Sequence, residues 1–207
     1  LANMASARKD FAAAAAGGKI YAIGGEKNDA KSMATVEAFD PLLGAWAEVA
    51  SMSVARCQHA AAVIDGTIYV IGGFDAEGYA LDTVEAYDPQ ADSWQQVASM
   101  PDARSRHAAT SIGGKIYVTG GYEDDDFTNT LIVFDPQANT WTELASMGSA
   151  RADHASAVIN GKLYVFGGYT GSDGHMASVE AYDPISNTWA QVSDLTSARD
   201  ELVAVAL

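Results

Sequence analysis

The 207-residue chain contains a single cysteine, Cys57. A lone thiol makes no intrachain disulfide and leaves no thiolate cluster for zinc, so packing has to hold this fold together. Basic residues are also scarce, with 12 Lys and Arg against 27 Asp and Glu, a formal net charge of -15. Phosphate backbones and anionic lipid attract proteins chiefly through Lys and Arg, and neither nucleic acid nor a membrane is an expected partner. Long apolar runs are missing too: the alanine-rich stretch 11–16 is cut off by Gly17 and Gly18, far short of the 18 or more residues a spanning helix needs. The chain opens on Leu1, which leaves its compartment unread. What is present is 48% hydrophobic and 9% aromatic residues, enough for a sizeable core.

That material is organised as a repeat. Gly-Gly pairs begin at Gly24, Gly72, Gly120 and Gly167, spaced 48, 48 and 47 residues apart. Tryptophans at 46, 94, 141 and 189 and Asp-Pro pairs beginning at Asp40, Asp88, Asp135 and Asp183 keep the same period. An Ala-Arg pair recurs five times, ending at Arg8, Arg56, Arg104, Arg151 and Arg199, with Met or Leu four residues before each arginine. Four landmarks in phase exclude coincidence.

Within one repeat, residues 60–64 read as a small-residue apolar strand, and Asp65-Gly66 as a two-residue hairpin turn needing positive φ. The matching turns are Gly17-Gly18, Gly113-Gly114 and Asn160-Gly161. A second strand at 68–71 is apolar on both faces and stops at Gly72-Gly73. A third at 83–87 ends at Asp88-Pro89, where proline cannot continue a ladder, and a fourth covers 94–97. The expected fold is all-β: four-stranded antiparallel meanders, none able to bury both faces alone, which is the logic of a propeller blade.

Gly-Gly closing the second strand, an aromatic residue before Asp-Pro (Phe39, Tyr87, Phe134, Tyr182) and a Trp shortly after together resemble the kelch repeat. The resemblance covers essentially the whole chain. It implies one β-propeller domain over residues 1–207, with repeats at about 8–55, 56–103, 104–150 and 151–198 and an extra first strand at 202–207. Kelch propellers usually have five to seven blades. Three arrangements therefore stand open: part of a larger propeller, a four-bladed ring with a spare strand, or copies that complete one another through terminal strands. An unpaired edge would favour self-association.

Strands that alternate in direction put the second-to-third and fourth-to-first loops on one face of a propeller. The second-to-third loops, 26–34, 74–81, 122–129 and 169–177, are the long and variable ones, and binding normally resides on such segments. A residue repeated in every blade serves the blade, whereas one that differs is free to serve a site. The recurrent arginines are accordingly read as structural, paired with Glu37, Glu85 and Glu180; Ile132 replaces the glutamate in the third repeat, which leaves Arg104 freer. His59, His107 and His154 are read as packing residues rather than zinc ligands, since Phe11 holds that place in the first repeat. The position two residues after each arginine reads Asp10, Gln58, Arg106, Asp153 and Glu201, a mixed polar set expected at the mouth of the channel. Arg106 could grip a carboxylate in a fork, and Tyr79, Phe127 and His175 offer flat contact area on neighbouring loops. The resemblance implies that peptide-binding relatives use this same face.

Chemistry is weakly signalled. The acidic run 123–126 lacks the spaced oxygen ligands and turn glycine of a calcium loop, and Asp82, Asp173 and Gly174 do not supply them, so it is read as solvated. Some kelch-like propellers are copper radical oxidases whose site joins Cys to Tyr, but Cys57 has no tyrosine near it in sequence. Others are sugar mutarotases, and Arg106, Asp153 and His154 could be read as an acid-base set. The expected role is a non-catalytic module that binds a protein or peptide, with no cofactor or metal. The alternative is a carbohydrate-active enzyme of mutarotase type.

Overall fold

The computed structural model describes residues 2–27, 31–123, 126–171 and 174–204, and every regular element among them is a β-strand. Contacts divide the chain into two compact units, Leu1–Ser105 and Arg106–Leu207. In the first, β1 (Ala12–Ala16), β2 (Lys19–Ile23), β3 (Val36–Asp40) and β4 (Ala45–Val49) form one antiparallel meander. A second joins β5 (Ala60–Ile64), β6 (Thr67–Ile71), β7 (Val84–Asp88) and β8 (Ser93–Val97). In the other unit β9 (Ala108–Ile112), β10 (Lys115–Thr119), β13 (Leu131–Asp135) and β14 (Thr140–Leu144) make the third meander. The fourth consists of β15 (Ala155–Ile159), β16 (Lys162–Phe166), β19 (Val179–Asp183) and β20 (Thr188–Gln191). Two ribbons are additional: β11 (Tyr122–Glu123) with β12 (Asp126–Phe127), and β17 (Tyr169–Thr170) with β18 (Gly174–His175).

The four sheets follow the sequence repeat closely. Asp65 and Gly66 have φ of 50° and 82°, and Asn160 and Gly161 have 52° and 74°, the left-handed pair that a two-residue hairpin demands. The third strand of the second repeat begins at Val84 rather than Thr83, whose carbonyl accepts from Gly72 N–H and from the Arg56 guanidinium.

First strands are made of small residues for a packing reason. β1 is five alanines and lies beside β5, and β9 lies beside β15, where Thr110 Oγ1 and Ser156 Oγ are hydrogen-bonded. Wider side chains fill the space between neighbouring sheets: Tyr21, Ile23, Val36, Ile68, Val70 and Tyr87 form one core, and Tyr117, Leu131, Leu163, Val165 and Tyr182 another. Burying an aliphatic side chain of this size is worth roughly 1.5–3 kcal/mol.

Polar clasps tie each sheet to the next within a unit. Trp94 Nε1 donates to the Ala50 carbonyl at 2.7 Å while Asp92 Oδ1 accepts from Ala50 N–H at 2.8 Å and from Tyr87 OH at 2.7 Å. Trp189 and Asn187 hold the Ala145 peptide in the same way.

Recurrent arginines close the first, second and fourth meanders. Arg56 Nη1 donates to the carbonyls of Gly72 and Thr83, and Nη2 pairs with Glu85 Oε1 at 2.9 Å. Arg8 with Glu37 and Arg151 with Glu180 repeat the pattern at 2.6 Å. Arg104, which lacks a glutamate at the repeat position, is nevertheless 1% exposed and is not the freer side chain that the substitution by Ile132 suggested.

Of the strand expected at 202–207, residues 205–207 lie outside the described residues and 202–204 are not in a ladder. The approach to it is built as in the other repeats. Gly168 N–H donates to the Arg199 carbonyl as Gly25 N–H does to Arg56, and Glu201 has a φ of 49° beside 51° at Gln58.

Candidate functional site

The variable positions lie where the chain crosses from one meander to the next. Asp10, Gln58, Arg106, Asp153 and Glu201 all adopt left-handed backbone, with φ of 53°, 51°, 55°, 52° and 49°. Gln58 N–H donates to the Asp10 carbonyl, Asp153 N–H to Arg106, and Glu201 N–H to Asp153, at 2.8–2.9 Å. Main-chain atoms thus form these links between successive repeats. Side-chain identity can vary because the backbone carries the structural duty, although a left-handed conformation is uncommon for a non-glycine residue.

In the first, second and fourth repeats the crossing is bonded to the start of the second-to-third loop. Lys9 pairs with Glu26, Cys57 with Phe74, and Ala152 with Tyr169 in two-way main-chain bonds of 2.8–3.1 Å. Gly73 makes room for the second of these, since a Cβ there would lie 2.5 Å from the Cys57 carbonyl and 2.7 Å from His59 Cβ. Fourth-to-first and second-to-third segments therefore adjoin in these three repeats.

In the first unit, Asp10 and Gln58 are joined through their backbones, and Lys9 stands 2.5 Å from Glu26 and 3.8 Å from Asp10. Hydrogen bonding by Glu26, then its charge, raises the Lys9 pKa. Tyr79 sits in a loop turned by Asp75, whose carboxylate accepts from the N–H groups of Glu77 and Tyr79, and its side chain is 71% exposed.

In the second unit, Arg106 Nη1 lies 3.6 Å from Asp153 Oδ2, so the guanidinium already has a carboxylate beside it and a ligand carboxylate would compete with Asp153. The two ribbons place their aromatic rings in a row. Tyr122 meets Phe127 edge-on at 5.3 Å, Phe127 meets Tyr169 at 5.7 Å, and Tyr169 meets His175 at 5.6 Å. His175 Nδ1 then lies 3.0 Å from Asp200 Oδ1. Phe127 and His175 are thereby brought into one assembly. Tyr122, Tyr169 and Asp200 belong to it as well and escaped the sequence reading. The signal for the two tyrosines was the position immediately after Gly-Gly, which is aromatic at Phe74, Tyr122 and Tyr169.

The histidines that open first strands do not join this surface. His154 is 7% exposed and its Nε2 lies 2.8 Å from Thr119 Oγ1; burial, reinforced by the Arg151 charge, pushes its pKa down to about 3. His59 is held at about 3 by burial and Arg56. Cys57 is buried, and burial raises its thiol pKa. Among the described residues no group of three His, Cys, Asp or Glu is placed to hold a metal ion. Residues 124, 125 and 173 of the acidic segments lie outside the described residues. No helix among the described residues is long and apolar enough to cross a membrane.

Comparison with known proteins gives the same architecture. The solved structure described as "Structure of YjhT" superposes with a TM-score of 0.86 at 17% identity, over 96% of this chain and 74% of that one. A likeness of this kind fixes the fold, a β-propeller, and leaves function open. No curated protein matches the sequence. The family model described as the KLHDC2/KLHL20/DRC7 Kelch-repeats domain matches residues 10–203, and the chain accordingly belongs to the kelch-repeat family.

Proposed function

We propose that the chain is a non-catalytic binding module that captures a protein or peptide on the loops between fourth and first and between second and third strands. Kelch-repeat domains are protein-binding modules in general. The contact residues of this reading are Asp10, Gln58 and Tyr79 in the first unit and Arg106, Asp153, Phe127 and His175 in the second. The aromatic row Tyr122, Phe127, Tyr169 and His175 carries it, because these rings lie on ribbons outside the four-stranded sheets and offer contact area that costs little side-chain entropy to order. Immobilised protein should retain a partner that Phe127→Ala and Arg106→Ala each release at least about tenfold faster, with the four sheets still intact by circular dichroism. Equal retention by wild type and both variants would remove the loop face from consideration.

A carbohydrate-active role remains the second reading. With His154 buried and neutral above pH about 3, proton transfer would fall to Asp153. Polarimetry on aldose anomers decides it: accelerated exchange that Asp153→Asn abolishes would establish an isomerase and displace the binding module. Self-association through an unpaired terminal strand is a separate proposal, tested by light scattering, where a molar mass equal to one chain would reject it.

A further inference from the structure

At the opposite ends of the strands, the first residue of each second strand faces the Asp of Asp-Pro. Lys19 lies 3.8 Å from Asp40 Oδ2, Lys115 2.9 Å from Asp135 Oδ2, and Lys162 3.0 Å from Asp183 Oδ2. Register explains the pairing, since Ile20 opposes Phe39 and Ile68 opposes Tyr87, so that the preceding residue falls opposite the Asp. The second repeat breaks this rule. Thr67 stands in the lysine position, too short to reach the carboxylate.

A depression of about 230 Å³ opens at this place, lined by Gly17, Asp65, Gly66, Thr67, Asp88 and Gln90 among others. Asp88 Oδ1 accepts from the N–H groups of Gln90 and Ala91, just as Asp40 and Asp135 bond their own turns. The turn thus fixes the carboxylate in the attitude that, in the three sister repeats, presents Oδ2 to an ammonium. Asp65 adds a second carboxylate to the rim.

We propose that this pocket receives the side chain of a lysine from a protein partner, its ammonium taking the place on Asp88 Oδ2 that the chain's own lysine fills elsewhere. Three observations converge: the vacated lysine position, the cavity at that position, and the oxygen that carries an ammonium in every sister repeat. An exposed carboxylate-ammonium contact is weak alone, so the pocket acts as one anchor of a larger contact. This surface lies at the short turns, away from the loops of the preceding section, and does not depend on them.

The probe is Nα-acetyl-lysine methylamide, titrated at constant ionic strength into isotope-labelled protein while amide resonances are followed. Shifts confined to Asp65, Gly66, Thr67 and Gln90 are expected. Asp88→Asn should weaken them severalfold, and Thr67→Lys, which restores the sister arrangement, should abolish them with the spectrum otherwise preserved. The Nε-acetylated probe should give none. Absence of shifts in wild type, equal shifts from the acetylated probe, or undiminished shifts in both variants would overturn the proposal. If Thr67→Lys failed to fold, the Asp88→Asn titration alone would decide it.

Discussion

Removing the Glu85 carboxylate would strand the Arg56 guanidinium, which is fully buried and otherwise bonded only to neutral groups. Breaking such a pair from one side costs about 3–5 kcal/mol, so Glu85→Ala should lose that much unfolding free energy in urea titrations. Glu85→Gln, whose single amide oxygen can still accept from Arg56 but whose NH2 then faces the Ser53 N–H, should lose less. Acid sensitivity follows from two kinds of group. Burial alone would raise the Glu37 pKa, but hydrogen bonds from Ala5, Arg8 and Ser6 together with the Arg8 charge outweigh it and hold the carboxyl below its ordinary value. Its stabilisation is present above the unfolded carboxylate range and disappears as pH falls through the lower folded value. His59 and His154 act earlier: below pH 6.5 the unfolded chain takes up protons that the folded rings refuse until about 3. Stability should therefore drop by up to about 1.4 kcal/mol per pH unit per histidine in that window. Melting temperature measured from pH 7.5 to 4.5 should fall in wild type and fall less steeply in His154→Phe.

Gly73 decides whether loop and crossing can adjoin, and its φ of 95° together with the Cys57 carbonyl leaves no room for a methyl group. Gly73→Ala should destabilise by about 2–4 kcal/mol and, in hydrogen exchange, deprotect Cys57 and Phe74 before the strands. Trp94→Phe keeps the ring but removes the bond to Ala50, a loss of about 1 kcal/mol visible as a shift in the urea midpoint. These elements were largely legible beforehand. Strand 60–64 coincides with β5, and the other strands of that repeat start within one residue of their expected places, because Gly-Gly, Asp-Pro and hairpin glycines each enforce a backbone state that few residues share. The ribbons β11–β12 and β17–β18 were legible only as variable loops, since strands of two residues are too short to show an alternating pattern. The left-handed backbone of Gln58 and Arg106 was hidden for a related reason: neither residue type prefers it, and only the main-chain bond between successive repeats imposes it.

For the whole molecule, a net charge of -15 makes encounter with a cationic partner faster and encounter with an anionic one slower, both effects fading as salt screens the field beyond roughly 8–10 Å. Association of a basic partner should accordingly slow between 50 and 500 mM salt, about tenfold, while dissociation changes little; biolayer interferometry would separate the two rates. The main-chain bonds between Asp10 and Gln58, Arg106 and Asp153, and Asp153 and Glu201 carry a last consequence. Because these links are made by atoms common to nearly every amino acid, the side chains at those positions can be changed by mutation without renegotiating the fold. A combinatorial library there, biased toward Asn, Asp and Gly that tolerate left-handed backbone and poor in Val and Ile, should yield mostly folded members. The same separation would let duplicated repeats diverge in what they recognise long before they diverge in how they stand.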